Sequence, residues 1–536
     1  MTASPVHMPQ PCYSLTGVRL VAGSPGAAQR GMALIVVLVV VSLLSLAALT
    51  FSQLMVAERE ATLLSGRRLQ ARALADSGVD YMRWFMMQDE ITLLESGGYY
   101  NNELEFSGML VMDDADPHAR GRFAIVSPNV ENGYFSGIRY GLEDESTKLN
   151  LNALAKLEEE EQIGGDILML LPGMTEDIAD AILDWIDADG DTREFGAELD
   201  YYSALVPPYE PKNGPLDSID ELLLVRDVTP SLLYGVDANR NTNADSTEPD
   251  GLSMIDVDNT DGSLDRGWSA YLTVHSYENN TNAEGEAKIN LNQDDLEALH
   301  KELKEALSDD WAAFIVGYRQ NGEYSGSDQP GATPTSGIDF KAEGSRKLDS
   351  ILDLVGIKTQ VTMSGDNREP VILAPILEEN SGSLEQELPV LLDTVTLVDA
   401  ETISGRININ QAARAVLLTI PELSAETADQ IIANRISDPQ EADEDQTCPM
   451  WPLTRGVVDV ETMKSIERYV CTGGNIYRAQ VVGYFDGGGP AARIEVVFDA
   501  TQSPAAILSW KDISHLGRGY PLEMLGIDTT IGGTLE

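Results

Sequence analysis

Three cysteines and five histidines in 536 residues leave too few soft ligands for a zinc-cluster protein or a disulfide-built scaffold. Basic residues are scarce too: 36 Lys and Arg face 87 Asp and Glu, for a formal charge of −51. Such a field repels nucleic-acid phosphates and argues against general DNA or RNA binding, while it suits a solvated exterior that gathers divalent cations. Catalytic signatures are missing. His7, His118, His275, His300 and His515 are scattered, and the chain has no HExxH, no GxSxG elbow and no Walker loop, so no enzyme is expected. No long apolar run recurs after Ala57, which excludes a multispan transporter. What remains is a globular composition, 43% hydrophobic and 23% charged, at a length that allows several domains.

The strongest local signal lies near the start. Residues 31–57 form a run of 27 without a charge. As a helix, about 20 of them cover the roughly 30 Å hydrocarbon core of a bilayer. A secretory signal peptide would be shorter and would end in a small-residue cleavage site, whereas this run passes into further helical pattern. Leu64, Ala71, Leu74, Gly78, Met82 and Phe85 keep the spacing of one apolar face, with Glu58, Arg59, Arg67, Arg68, Arg72 and Asp80 on others. The pattern predicts one helix over about 32–87. Orientation does not follow from charge, because Arg19 and Arg30 precede the span and Arg59, Arg67, Arg68 and Arg72 follow it.

Strand-like runs with turn punctuation occupy 121–127, 137–143, 270–276, 393–399, 476–485 and 492–498. Helical stretches interrupt them, which predicts an α+β fold with inserted helical modules. A repeat accounts for the length. Lys148-Leu-Asn-Leu-Asn152, Lys288-Ile-Asn-Leu-Asn292 and Arg406-Ile-Asn-Ile-Asn410 are three versions of one motif, each followed by a helical pair. Further amphipathic helices are expected at 218–225, 348–355 and 457–469. The alternating pattern suits a short buried strand, and the Asn amides can satisfy loop backbone and cap the next helix.

Two acidic loops have calcium-ligand spacing. Asp187, Asp189, Asp191 and Glu198 stand at positions 1, 3, 5 and 12 of an EF-hand-like loop, and Asp237, Asn239, Asn241 and Glu248 repeat that spacing. Alternate side chains of a tight loop can supply the six to eight oxygens calcium takes, with a Glu closing the cage. Thr192 and Thr242 stand where the standard loop has Gly. The bland reading is an acidic surface turn. Asp256, Asp258 and Asp261 form a third cluster without a closing Glu and read as solvated linker.

Arg30-Gly31-Met32-Ala33-Leu34-Ile35-Val36 resembles a prepilin-peptidase site: a basic residue, Gly, then an apolar helix. The segments LNLNAL (149–154), DAILDWIDADGD (180–191), GAELDYY (196–202) and SIDELL (218–223), in that order, resemble the inserted helical domain of the K-type minor pseudopilin of type II secretion systems. Val36 stands where ordinary pilins have Glu, a departure shared with the K-type class. The resemblance covers about 30–235 and 475–515.

It implies a long N-terminal membrane helix and a pilin-like α/β domain with inserted helix-hairpin-helix or SAM-like modules. It also implies cleavage between Gly31 and Met32, N-terminal methylation, calcium in the globular region, and other minor pseudopilins and the major pseudopilin as partners. The expected place is the bacterial inner membrane, single-pass, with the N-terminus cytoplasmic and the globular region periplasmic. The implied role is a tip component that initiates pseudopilus assembly for export across the outer membrane. A membrane-anchored helix-hairpin-helix protein for DNA uptake and a type IV pilus minor pilin are the alternatives.

The expected division is a leader at 1–31, the membrane helix at 32–90, pilin-like strands at 100–146 and a first module at 147–240. An acidic linker at 241–267 follows, then a second module at 268–358, strands with a third module at 359–470, and terminal strands and tail at 471–536. Cys12 falls in the leader. Cys448 and Cys471 remain in a compartment where either a disulfide or two buried thiols fits.

Overall fold

The structure, a computed structural model, describes residues 27–243, 248, 265–334, 336–341, 344, 346–365 and 369–527; the side chains of 27–31, 90 and 381 lie outside the description. The chain divides into two units, Met1–Arg67 and Arg68–Glu536. One helix, Ala27–Phe85, passes from one to the other. In the first unit its apolar side chains are exposed, from Met32 to Leu64, as a lipid-facing segment requires. Leu64, expected on the packed face, is 49% exposed; burial begins only at Ala71, within the second unit.

From Ala71 onward the helix buries Ala71, Leu74, Ala75, Val79, Met82 and Phe85 against an antiparallel sheet. The approach is close because two glycines allow it. A Cβ on Gly483 would stand 2.2 Å from the Ala71 carbonyl oxygen, and one on Gly78 would stand 2.6 Å from Val481.

The sheet has seven strands. Its order runs Met109–Met112, Gly121–Glu131, Ile476–Phe485, Ala492–Asp499 and Ala506–Asp512. Tyr134–Tyr140 pairs with Gly121–Glu131, and Glu143–Asp144 pairs with Ile476–Phe485. The central pairing sets Val126 opposite Gln480 and Phe123 opposite Gly483, so the sheet is closed by residues more than 300 positions apart. Everything between Asp144 and Ile476 is inserted into this α+β frame.

A buried charge cluster anchors the insert. Lys148 Nζ lies 2.7 Å from Glu143 and 2.9 Å from Glu145, and Arg478 Nε donates to Glu145 at 2.7 Å. The Asp144 carboxylate accepts from Asn408 Nδ2 and the Gly474 amide, both at 2.9 Å.

The three motif copies fold alike. Leu149–Asn150, Ile289–Asn290 and Ile407–Asn408 are two-residue strands, each paired in parallel with the strand that closes its module: Leu272–Thr273, Val395–Thr396 and Val470–Cys471. In each copy the first Asn accepts from the backbone amide of the second, at 3.0, 2.9 and 3.0 Å. The second Asn reaches across the module, donating to the Leu216, Leu348 and Gln446 carbonyls respectively. Modules two and three share a further device. Arg319 donates to the Leu291 carbonyl and Arg435 to the Ile409 carbonyl, the same motif position in both.

Several expected elements come out differently. Strands foreseen over 270–276 and 393–399 shrink to Leu272–Thr273 and Val395–Thr396, and a 3-10 turn and a helix run into their first residues. The helices expected at 218–225 and 348–355 are single 3-10 stretches, Ile219–Leu224 and Ile351–Leu354, started by Ser218 and Ser350. Asn150 caps the helix Leu151–Glu161 as expected, but Asp295 caps the first helix of module two.

Candidate functional site

The first acidic loop leaves the helix Glu176–Ile186, whose apolar face buries Ile178, Ile182, Trp185 and Ile186. Asp184 is fully buried within it and is held by Arg193 Nη1 at 2.8 Å. Arg193 also pairs with Asp187. Gly196 permits this arrangement, since a Cβ there would stand 1.8 Å from Asp184 Oδ2.

The structure treats the four spaced acids differently. Asp189 and Asp191 are exposed, and Asp189 Oδ1 only accepts from the Asp191 amide at 2.8 Å. Asp187 and Glu198 turn inward, Glu198 to 5% exposure. Asn213, brought in from outside the loop, donates to the Asp189 carbonyl and, at 3.4 Å, to Glu198 Oε2.

Three oxygens are buried here without a hydrogen-bond partner: Asp187 Oδ1, Glu198 Oε1 and Asn213 Oδ1. Burial pushes the Asp187 and Glu198 carboxyls upward, and the negative charge of neighbouring acids adds to it. Two carboxyls and an amide oxygen are a hard-cation donor set, which the exposed Asp189 and Asp191 do not join directly. Among the described residues, no three or more His, Cys, Asp or Glu already stand in metal-binding geometry. Spacing pointed to Asp187 and Glu198 but not to Asp184, Arg193 or Asn213. The Asn213-Gly-Pro turn signature was the available clue.

The second loop is built otherwise. Asp237 is 3% exposed, and its two oxygens accept from the Asn241 and Thr242 amides, each at 2.9 Å. Asn241 Oδ1 accepts from the Asn243 amide at 2.8 Å, while its Nδ2 donates to the Gly519 carbonyl at 2.6 Å. Arg493 donates to the Asn239 carbonyl. These side chains fasten the loop to the C-terminal part of the pilin-like domain. Glu248 is buried, and residues 244–247 leading to it lie outside the described residues. So does the third cluster, Asp256, Asp258 and Asp261.

Cys448 and Cys471 are both buried thiols, and burial pushes each one up. Their neighbours touch: Thr472 Oγ1 donates to the Thr447 carbonyl at 2.7 Å. At the proposed cut, Met32 and Val36 are exposed helix residues; the side chains of Arg30 and Gly31 lie outside the description, as do residues 1–26 with Cys12 and Arg19.

Residues 147–236, which hold the first motif copy and the first acidic loop, match the model of the family described as type II secretion system (T2SS), protein K. No curated protein sequence matches the chain. Among solved structures, a chain of the GspK–GspI–GspJ complex from the enterotoxigenic Escherichia coli type 2 secretion system matches at 11% identity. The match covers 85% of this chain and 98% of that one, with a TM-score of 0.36, too loose a superposition to carry an argument.

Proposed function

We propose that this chain is a minor pseudopilin at the tip of a type II secretion pseudopilus, because residues 147–236 match the model of the type II secretion system protein K family. The observation that carries the reading is the setting of that domain. It is inserted into a sheet packed on the C-terminal part of a 59-residue helix whose N-terminal part is apolar and exposed. On this reading the helix is anchored in the inner membrane and the globular region stands in the periplasm. Prepilin peptidase cuts after Gly31, and Met32 becomes the methylated N-terminus. Val36 supplies the mechanism. A carboxylate in lipid is tolerated when paired, and a subunit without one needs no partner amine above it. Such a subunit starts the assembly, with other minor pseudopilins and the major pseudopilin joining below. Calcium belongs at Asp187, Glu198 and Asn213, whose buried, partnerless oxygens fit a hard cation.

The test is processing and placement. Co-expression with a prepilin peptidase should give Met32 as the first residue, and cross-links should run to pilin-like subunits. Val36→Glu should lower tip incorporation, since it adds a lipid-embedded carboxylate with nothing above to pair it. Cleavage beyond Ala57 by an ordinary signal peptidase would sink the reading.

A further inference from the structure

The second and third modules meet around a cavity of about 560 Å³ that the secretion role does not use. Its size is that of a small-molecule site. Ile351, Leu392, Val395, Ile403, Met450 and Val470 form its apolar part. Four cations, Lys288, Arg406, Lys464 and Arg468, share the wall with four acids, Glu278, Asp349, Asp393 and Glu467. In a chain of charge −51, such a balanced lining is a local exception.

Most of these charges are already engaged. Lys464 faces Asp353 at 3.5 Å, and Arg468 pairs with Glu161 at 2.5 Å. Glu467 accepts from Ser350 and, at 3.2 Å, from the Ile351 amide, while Asp393 accepts from the Ala283 amide at 2.9 Å. Two donors are left over. Lys288 gives one proton to the Leu392 carbonyl at 2.7 Å and, among the described residues, has no carboxylate at ion-pair distance. Arg406 gives Nη1 to Glu278 at 2.8 Å, and its Nη2 makes no hydrogen bond among the described residues, while its Nε is enclosed. Both are the first residue of their module's motif, so the repeat itself delivers them to the junction.

We infer that this cavity binds an organic carboxylate with an apolar tail, its carboxylate received by Lys288 and Arg406 and its tail by the aliphatic wall. A singly charged anion adds one negative charge to a lining whose own charges cancel, and a doubly charged phosphate would add two, at a greater desolvation cost. Shape adds to the choice, since a planar carboxylate can accept from a guanidinium and an ammonium together. The source is either a peptide C-terminus or a free organic acid. The inference does not depend on the secretion reading.

Calorimetric titration of the full chain in detergent micelles tests it, with N-acetyl-leucyl-leucine and its C-terminal amide as probes and hexanoate as the free-acid arm. The carboxylate peptide or hexanoate should bind at least tenfold more tightly than the amide. The stronger of the two identifies the source. Lys288→Met should erase that preference, and Lys288→Arg should keep it. Leu392→Trp should block binding by filling the cavity. Because the carboxylate–amide comparison is made on the unaltered chain, a misfolded variant does not affect it. Equal binding of acid and amide, no binding of either acid, or full retention in Lys288→Met overturns the inference.

Discussion

Glu198 shows how burial turns an acid into a sensor. Its carboxyl is pushed above the ordinary value of 4.5 by burial, then by the charges of Asp184 and Asp187, against help from Asn213. The unfolded chain therefore gives up this proton first as pH rises. Without a cation, stability falls through the window above about 4.5 until the folded group has ionised too. Asp187 is shifted the same way, burial outweighing its bond to Arg193. In chelator, Glu198→Gln should flatten this loss between about pH 4.5 and neutrality, measured as melting temperature against pH. Calcium should raise the melting temperature of the parent by roughly 5 °C at a hundredfold excess over its Kd, magnesium by less. The Asp187→Ala, Glu198→Ala pair should abolish most of the response. Asp237→Ala with Glu248→Ala should remove a smaller part of it, since Asp237 already spends both oxygens on backbone amides. The thiol pair is also decided at this scale. Cys448 and Cys471 stand as free thiols that line one cavity, with Thr472 beside one donating to the Thr447 carbonyl beside the other. Peptide mapping of the chain expressed in an oxidising compartment should show a Cys448–Cys471 bond, and breaking it should cost about 3 kcal/mol. Two alkylatable thiols in oxidised protein would count against it. The sequence exposed the spaced acids and the cysteines. It hid Asn213 and Arg193, because only the folded loop brings them to Glu198 and Asp187.

Elements were legible where they are long and patterned. Residues 476–485 and 492–498 are rich in apolar and β-branched residues and buried along most of their length, and both are central strands that match their expected ranges to within a residue. Ala506–Asp512 escaped notice because it is an edge strand with Leu508 and Trp510 partly exposed and Lys511 and Asp512 interleaved. The short motif strands were expected, but their parallel pairing was not, because two residues are too short to show which strand they meet. What marks them in the sequence is the repeated Asn, and the structure gives that Asn a bridging task. Asn410 shows it most fully, accepting from Trp451 Nε1 and donating to the Gln446 carbonyl, both at 2.8 Å. Asn410→Leu leaves a buried indole N–H and a carbonyl unpaired, so it should cost about 2–4 kcal/mol in denaturant unfolding. Asn410→Asp keeps the acceptor for Trp451 and should recover part of the loss if its charge is tolerated. Arg319 and Arg435 were not foreseen, because each acts on carbonyls 23 to 28 positions earlier.

At the scale of the whole molecule, the three modules do not make three cores. Module one packs around its own cluster, from Leu149 through Trp185 and Tyr202 to Val274. Modules two and three share a single cluster that runs from Leu291 through Phe314 and Leu388 to Trp451 and Val470. The antiparallel pair Tyr277–Asn279 and Thr402–Ser404 stands where module two leaves and rejoins the chain. Motif repetition showed three units but could not show which of them share a core, since that depends on contacts between helices far apart in sequence. The division has a consequence for the cation. Asp187, Glu198 and Asn213 all lie in module one, so an ion there should tighten that core alone. Hydrogen exchange with and without chelator should therefore show faster exchange across residues 176–228 when calcium is removed. Exchange across 291–470 should stay unchanged. Uniform acceleration would mean that the cores unfold as one unit. No change at either would mean that the partnerless oxygens of Asp187, Glu198 and Asn213 are satisfied by water, and that the first loop serves only to hold its module together.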